Sequence, residues 1–156
     1  MNVTLCAVGR LRPGPELTLF NGYRARFDRT GRSLGLGPLN VAEVEARKGG
    51  GQAEEARLLA RAVPEGAVKL GLDERGRLMT SPEFAALLAR WRDDGRGTVA
   101  VMIGGADGLT DDARGQCDRL VSFGPMVWPH MLVRVMIAEQ LYRAASILAN
   151  APYHRA

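Results

Sequence analysis

The loops and side chains best suited to chemistry lie in the last third of the chain. Residues 124–129 form a loop of glycine, proline and apolar residues that contains no charged side chain. Such a loop can hold a neutral flat ring, as adenine requires, through backbone hydrogen bonds and apolar contacts. A structural turn that packs Trp128 into the core is the alternative. The loop is therefore a candidate ligand site for which a structural role also stays open.

A second glycine loop, residues 104–109, directly follows a predicted strand. Glycines at such a place let the backbone approach a ligand closely. The spacing is GGxxG and not the GxGxxG of dinucleotide sites, and Asp111 and Asp112 at the next predicted helix start would repel a pyrophosphate. The pattern disfavours phosphate-bearing cofactors and a nucleotide-dependent oxidoreductase, while a turn without a ligand stays an alternative.

The chain ends in an aromatic ring, an imidazole and a guanidinium, supplied by Tyr153, His154 and Arg155. Stacking on an exposed base and pairing with phosphate would explain this trio, and a disordered end is the alternative. On the preceding predicted helix, Glu139 and Arg143 are four residues apart with the acid first, which is the favourable order for an ion pair. The end of the chain is thus a candidate contact for nucleic acid.

The elements that must position these groups alternate between strand and helix patterns. Ser81 is predicted to cap one helix, Pro129 to lie in the first turn of the last helix, and His130 to act as a cap or supporting residue there. Alternation of this kind is typical of an α/β fold with a mostly parallel sheet covered on both faces. The predicted strands are 2–8, 39–44, 67–72 and 98–103, and the predicted helices begin at 15 and cover 52–63, 82–93 and 130–148.

Composition and charge predict one soluble domain with an anionic partner. The 156 residues are 46% hydrophobic and 24% charged, as in ordinary globular proteins. Without an apolar run near 20 residues or a signal peptide, the chain is expected in the cytoplasm and away from membranes. Cys6 and Cys117 lack disulfide or metal spacing, so no metal is expected. A net charge of +4, with arginines concentrated at both chain ends, makes RNA a candidate partner, and an ordinary solvated surface is the alternative.

Three motifs stand out: Ile103-Gly104-Gly105-x-x-Gly108-Leu109, then Pro129-His130-x-x-x-Arg134-Val135-x-x-x-Glu139-x-x-Tyr142-Arg143-Ala144, and the closing Tyr153-His154-Arg155. Weaker matches at Ala7-Val8-Gly9, Tyr23, Arg26, Leu72-Asp73 and Gly76 extend the likeness over the whole chain. Together these motifs resemble the SPOUT-class methyltransferases of the RlmH type, which methylate a pseudouridine of large-subunit ribosomal RNA. The family usually has lysine where Arg77 stands, and the stretch 30–51 diverges from it.

The resemblance implies one domain, 1–156, with a deep trefoil knot at approximately 98–150 and an RNA-contacting tail at 151–156. It implies methylation at N3 of a pseudouridine in 23S ribosomal RNA on the assembled ribosome, without a metal. A homodimer with the last helix at the subunit interface is also implied. The positions that match the family's contacts with its cofactor, S-adenosyl-L-methionine, are Leu72, Gly105, Gly124, Pro125, Met126, Val127, Trp128 and Pro129.

Methyl transfer from a sulfonium is an in-line displacement, so the enzyme must position the reactants and handle the N3 proton. His154 is the candidate for proton handling, because histidine titrates near neutral pH. Arg155 or Arg143 can stabilise negative charge on the neighbouring carbonyl oxygens, and Tyr153 can stack on the base. A non-catalytic RNA-binding or ribosome-assembly protein of the same fold is the alternative from another class, and it would not bind the cofactor.

Overall fold

A computed structural model describes residues 1–155, with five strands and five helices, and Ala156 of the expected tail lies outside the described residues. The strands form one parallel sheet in the order β2-β1-β4-β3-β5, which confirms the α/β class. The strands are β1 (Asn2–Val8), β2 (Leu39–Val44), β3 (Val68–Leu78), β4 (Thr98–Ile103) and β5 (Arg119–Ser122), and the helices are α1 (Pro15–Arg32), α2 (Gly51–Ala62), α3 (Ser81–Asp93), α4 (Asp111–Gly115) and α5 (His130–Leu148).

The side chains of the central strands alternate between two separate cores. Val3 and Leu5 of β1 pack in a core shared with α1, α3 and α5, whereas Cys6 and Val8 pack in a core shared with α2 and α4. Because successive residues of a strand point to opposite faces, one strand supplies both cores. Helices therefore cover both faces of the sheet, as buried parallel strands require. None of the described helices is long and apolar enough to cross a membrane.

Strand β3 is where the fold departs from the predicted elements. The predicted strand 67–72 is too short, since β3 extends to Leu78, and its partner β5 has no counterpart among the predicted strands. Leu72 and Arg77 both pair with Val121, so residues 73–76 leave the ladder. A Cβ atom on Gly76 would lie 2.6 Å from the backbone of Val121. The two strands approach closely there, and only glycine leaves the space.

The helix α3 begins with a capping box one residue before the predicted cap. Thr80 is the N-cap, and its hydroxyl accepts a hydrogen bond from the backbone N–H of Glu83 at 3.3 Å, while the Glu83 carboxylate accepts one from the Thr80 N–H at 2.7 Å. The prediction of Ser81 as the cap is therefore wrong. The Ser81 hydroxyl instead donates to Gln140 Oε1 at 2.8 Å, which ties the start of α3 to α5. Both residues are hydroxyl-bearing, and only the reciprocal bonds of Glu83 decide between them.

Candidate active site

A cleft opens at the carboxyl ends of β3, β4 and β5, where ligands of parallel α/β sheets bind. Its volume of about 380 Å³ lies within the range of small-molecule sites. The walls come from the segment after Leu72, the glycine loop after β4, the loop after β5 and the first turn of α5. The sheet therefore brings together three loops that are distant in sequence.

Six of the eight predicted cofactor residues line this cleft. Pro125 and Pro129 lie in the same loop but are not among the lining residues, and Pro129 is the N-cap of α5, not a residue of its first turn. The indole of Trp128 is 41% exposed, so the alternative in which it packs into the core is wrong. The roles of these residues in binding stay a prediction. The lining set comprises Leu72, Gly105, Gly124, Met126, Val127 and Trp128.

The glycine loop after β4 is a tight turn held from α2. The Gly108 N–H donates to the Gly105 carbonyl at 3.0 Å, and the Gln52 side chain donates to the Asp107 carbonyl at 2.9 Å. A Cβ atom on Gly105 would lie 2.8 Å from Glu55 Oε2, an oxygen that is buried without a hydrogen-bond partner among the described residues. The backbone of this loop thus stays open toward the cleft and is closely packed on its far side.

The charges around the cleft suit a ligand without phosphate. Arg114 donates to Asp73 at 3.3 Å and also contacts Asp111 and the Leu109 carbonyl, so its guanidinium is already paired. The chain therefore presents no cluster of free basic groups over the lining residues, as a pyrophosphate would need. The charged and imidazole side chains of the lining are Asp73, Glu74, Arg75, Asp107, Arg114 and His130.

The predicted tail residues form a second cluster, against the later turns of α5. Tyr153 donates its hydroxyl hydrogen to Glu139 Oε1 at 2.9 Å, and its ring lies 4.5 Å from that of Tyr142 between centroids. Burial and the Glu139 carboxylate raise the pKa of Tyr153 above its ordinary value. Arg143 donates two hydrogen bonds to the same oxygen at 3.0 and 2.5 Å, which confirms the predicted ion pair. The tail as far as His154 is packed, in contrast to the disordered-end alternative.

The remaining candidate residues lie in the tail cluster or in the cleft. His154 is half-buried and its Nδ1 lies 3.3 Å from Arg143 Nη1, whereas Arg155 is exposed. His130 lines the cleft, and α5 has no side-chain cap, so the prediction of His130 as a cap is wrong. No group of three metal-ligating side chains occurs within residues 1–155.

The cleft and the tail cluster lie on different faces of α5. His130 and Val133 contact the cleft, whereas the tail contacts Glu139 and Arg143. With 3.6 residues per turn, the first pair and the second pair are centred about 130° apart around the helix. His130 and Arg143 are also 13 residues apart along α5, about 20 Å at 1.5 Å per residue. The cleft and the tail cluster of one protomer are therefore separate sites along α5.

Arg134 is a structural residue of the site that sequence reasoning missed. It is 1% exposed, and its guanidinium donates to the carbonyls of Val8 and Gly9 at 2.6 Å each and to Glu43 at 2.8 Å. These bonds fix the first turns of α5, beside the cleft, to the carboxyl ends of β1 and β2. The signal that could have identified it is its place in the motif Pro129-His130-x-x-x-Arg134. An arginine among apolar helix residues needs hydrogen-bond partners if it is buried.

A cleft at the carboxyl edge of a parallel sheet, bounded by glycine loops, is typical of ligand-binding α/β enzymes. A family model described as "Predicted SPOUT methyltransferase" matches residues 1–154, and the chain belongs to the SPOUT methyltransferase family. Enzymes of this family take their methyl group from S-adenosylmethionine, which is therefore the cofactor of this methyltransferase.

Relatives match over nearly the full length. The chain is 66% identical over 155 residues to "Ribosomal RNA large subunit methyltransferase H" of Dinoroseobacter shibae and 62% identical to the protein of that name from Roseobacter denitrificans. Each match covers 99% of both chains. Among solved structures, a probable methylase family protein from Haemophilus influenzae aligns with a TM-score of 0.54 at 15% identity, covering 99% of this chain and 70% of that one. This last likeness supports the fold alone.

Proposed function

We propose that this enzyme methylates N3 of a pseudouridine in 23S ribosomal RNA, on the assembled ribosome in the cytoplasm. The observation that carries the proposal is the 66% identity, over 99% of both chains, to a relative named ribosomal RNA large subunit methyltransferase H. The tail cluster supports it, because an aromatic ring, an imidazole and arginines suit an unpaired base and its phosphates. Membership of the SPOUT methyltransferase family gives methyl transfer and the cofactor. The proposal adds the recognition of RNA and the nucleotide that is modified.

The size and the lining of the cleft both fit S-adenosylmethionine. Its volume of about 380 Å³ is sufficient for a folded drug-sized molecule, and Gly104, Gly105 and Gly108 line it without side chains, so a ligand can approach the backbone. Met126, Val127 and Trp128 offer apolar surface to a neutral adenine, while the exposed Glu74 offers negative charge to a cationic ligand. When bound, the cofactor supplies a methyl group on a sulfonium, whose sulfur accepts the electron pair of the broken bond.

The acceptor nitrogen must be unprotonated when it attacks the methyl carbon. The N3 proton leaves, and the negative charge spreads onto the two adjacent carbonyl oxygens of the base. His154, Arg143 and Arg155 are proposed to handle that proton or stabilise that charge, and Tyr153 is proposed to stack on the ring. Their roles depend on a nucleobase that reaches them and the donor together.

A homodimer supplies the missing contact between cleft and tail. Reacting atoms must come within about 3.5 Å, whereas the two clusters of one protomer are on different faces of α5. We infer that the tail of one protomer acts at the cleft of its partner. Exposed apolar side chains beside the cleft favour such an interface, since Met126 and Val127 are 71% and 87% exposed and Leu132 on α5 is 38% exposed.

We also propose that residues 98–150 form the trefoil knot expected of the family. The chain passes from β4 through α4 to β5, which lies beyond β3, and then returns to α5 on the other face of the sheet. The excursion at residues 73–76, around which Leu72 and Arg77 both pair with Val121, is the loop through which such a path would pass. This geometry supports the knot and the single-domain organisation over 1–156.

The test uses ribosomes from cells that lack the protein. Purified enzyme with S-adenosylmethionine should add one methyl group to one pseudouridine, detected by mass spectrometry of nuclease fragments. Saturable cofactor binding without methylation of any ribosomal RNA would overturn the proposed substrate. The absence of saturable cofactor binding would instead favour the non-catalytic scaffold.

A mixing experiment tests the shared site. Gly104→Ala damages the cleft, and His154→Ala damages the tail. If tail and cleft belong to different protomers, a mixture of the two impaired variants should turn over faster than either alone at a cofactor concentration below the raised Kd of Gly104→Ala, because some heterodimers have one intact pair. A mixture that is no faster than its components would contradict the shared arrangement.

A further inference from the structure

We propose that Glu139, acting through Arg143, is a positioning residue that holds His154 in the tautomer with its proton on Nε2, so that His154 donates a hydrogen bond to the reacting base instead of accepting its N3 proton. The inference rests on the proposed function, in which the tail meets the nucleobase. It decides between the two roles open to His154, namely proton acceptor and stabiliser of the anion.

The first step is the fixed position of Arg143. One oxygen of Glu139, Oε1, accepts two hydrogen bonds from the guanidinium, from Nε at 3.0 Å and from Nη2 at 2.5 Å. The two side chains are only 17% and 25% exposed, so water competes little for these bonds. The hydrogen bonds to Glu139 raise the pKa of Arg143 above its already high ordinary value. Its guanidinium is therefore a permanent donor in one orientation.

The same oxygen also fixes the tail. Tyr153 donates to Glu139 Oε1 at 2.9 Å, and Arg143 Cζ lies 4.8 Å from the centroid of the Tyr153 ring. The Tyr153 ring also packs against the ring of Tyr142, with 4.5 Å between the two centroids. Because both its hydroxyl group and its ring are held, Tyr153 fixes the backbone immediately before His154. Glu139 joins the helix, the arginine and the tail in one unit.

The second step is the tautomer of His154. Arg143 Nη1 lies 3.3 Å from His154 Nδ1, and a guanidinium nitrogen carries only N–H groups, so it can donate and cannot accept. Nδ1 must then accept, and the proton of a neutral imidazole is on Nε2. An Nε2 that already bears hydrogen cannot take the N3 proton, but it can donate to a carbonyl oxygen that becomes negative.

The step then balances without a protein base. The N3 proton leaves to water, the freed electron pair of N3 forms the bond to the methyl carbon, and the carbon–sulfur bond breaks with its pair going to sulfur. His154 Nε2–H stabilises the intervening anion through a hydrogen bond. A single donor of this kind contributes on the order of 10²-fold in rate.

The first readout is the protonation state of the ring. The chain has two histidines, so a protein labelled with nitrogen-15 histidine gives two imidazole patterns, and His130→Gln identifies that of His154. At about pH 8.5, where ordinary histidine is neutral, the His154 pattern should be that of the Nε2–H tautomer. Glu139→Gln, which keeps an acceptor oxygen for Arg143 and Tyr153, should preserve the pattern, and Glu139→Ala should give a mixture of tautomers. A wild-type Nδ1–H pattern would overturn the inference.

The second readout is turnover on ribosomes. The amide nitrogen of glutamine can take the place of the Nε2–H donor but cannot accept a proton, so His154→Gln should keep at least about a third of the rate while His154→Ala loses about 10²-fold. Equal losses in the two variants would overturn the donor role and leave the proposed function intact. Full activity of His154→Ala would instead contradict the participation of the tail in the proposed function. Glu139→Ala should lower kcat with an unchanged cofactor Kd, since neither Glu139 nor Arg143 is among the residues that line the cleft.

Discussion

Replacing Gly104 with alanine should weaken cofactor binding in a way that no second substitution at Glu55 can relieve. A Cβ atom there would lie 2.6 Å from the Gly108 carbonyl oxygen and 2.8 Å from the Leu109 nitrogen, both in the backbone. Ordinary contact begins near 3.4 Å and the Gly108 carbonyl carbon lies closer still than its oxygen, so the loop must move by about 1 Å. A displacement approaching 1 Å in a loop that lines the cleft should raise the Kd for S-adenosylmethionine at least about tenfold, or about 1.4 kcal/mol.

Gly105→Ala meets a different obstacle and should respond differently. Its Cβ atom would lie 2.8 and 3.0 Å from the two carboxylate oxygens of Glu55, the end of a flexible side chain. The expected rise in Kd is smaller, about threefold, and Glu55→Ala in the same chain should bring the Kd back to within about twofold of wild type. Adding Glu55→Ala to Gly104→Ala should change nothing, because the obstacle there is backbone.

The assay is isothermal titration of S-adenosylmethionine into each purified variant, with thermal unfolding as the check on folding. Gly22→Ala is the matched control, since this α1 glycine is exposed and has nothing within 4 Å of an added Cβ atom. An unchanged Kd in Gly104→Ala, or an equal effect of Glu55→Ala on both glycine variants, would refute the assignment of this loop as the wall of the cofactor cleft.

Three further predictions concern stability and reactivity. Arg134→Met removes three hydrogen bonds of a buried guanidinium and leaves the Glu43 carboxylate with the Leu11 N–H but without its ion pair, so the free energy of unfolding in urea should fall by about 3 kcal/mol; a loss below about 1 kcal/mol would contradict its structural role. Thr80→Ala breaks the capping box of α3 and should cost about 1 kcal/mol, whereas Ser81→Ala, outside the box, should cost less. Burial raises the pKa of the Cys6 thiol to about 11, so at mildly alkaline pH it stays protonated and should react with a disulfide reagent only after denaturation; rapid labelling of the native protein at Cys6 would disprove this.

Most elements of the fold could be predicted because their signals are local. The apolar run of β4 and the long pattern of α5 report burial within one segment, and the structure has both at the predicted residues. Strand β5 is only four residues long and begins with the exposed Arg119, so its sequence carries no strand pattern. It is a strand because β3 is beside it. Pairing between residues 44 to 49 positions apart in sequence is a tertiary property that no local window contains.

The far end of β3 illustrates the same limit. The predicted strand stops at residue 72, and the charged residues 73–75 that follow are exposed or half-buried, yet the chain rejoins the ladder at Arg77. Thr80 and not Ser81 caps α3 because the Glu83 carboxylate folds back to the Thr80 N–H. The Ser81 hydroxyl binds Gln140 of α5 instead. Two neighbouring hydroxyls are equivalent in a sequence pattern and differ only once the helix axis is placed.

For the site, residue types and motif spacing by themselves determined the chemistry on offer: neutral glycine loops for a phosphate-free ligand, and an aromatic, an imidazole and arginines for a base. Only the tertiary structure decided how these groups are distributed. It collected three loops into one cleft, exposed Trp128 to it, and directed the tail to Glu139 on a different face of α5. The reason is that side-chain chemistry belongs to each residue, whereas the side of a helix that meets a loop or a tail depends on packing between segments far apart in the chain.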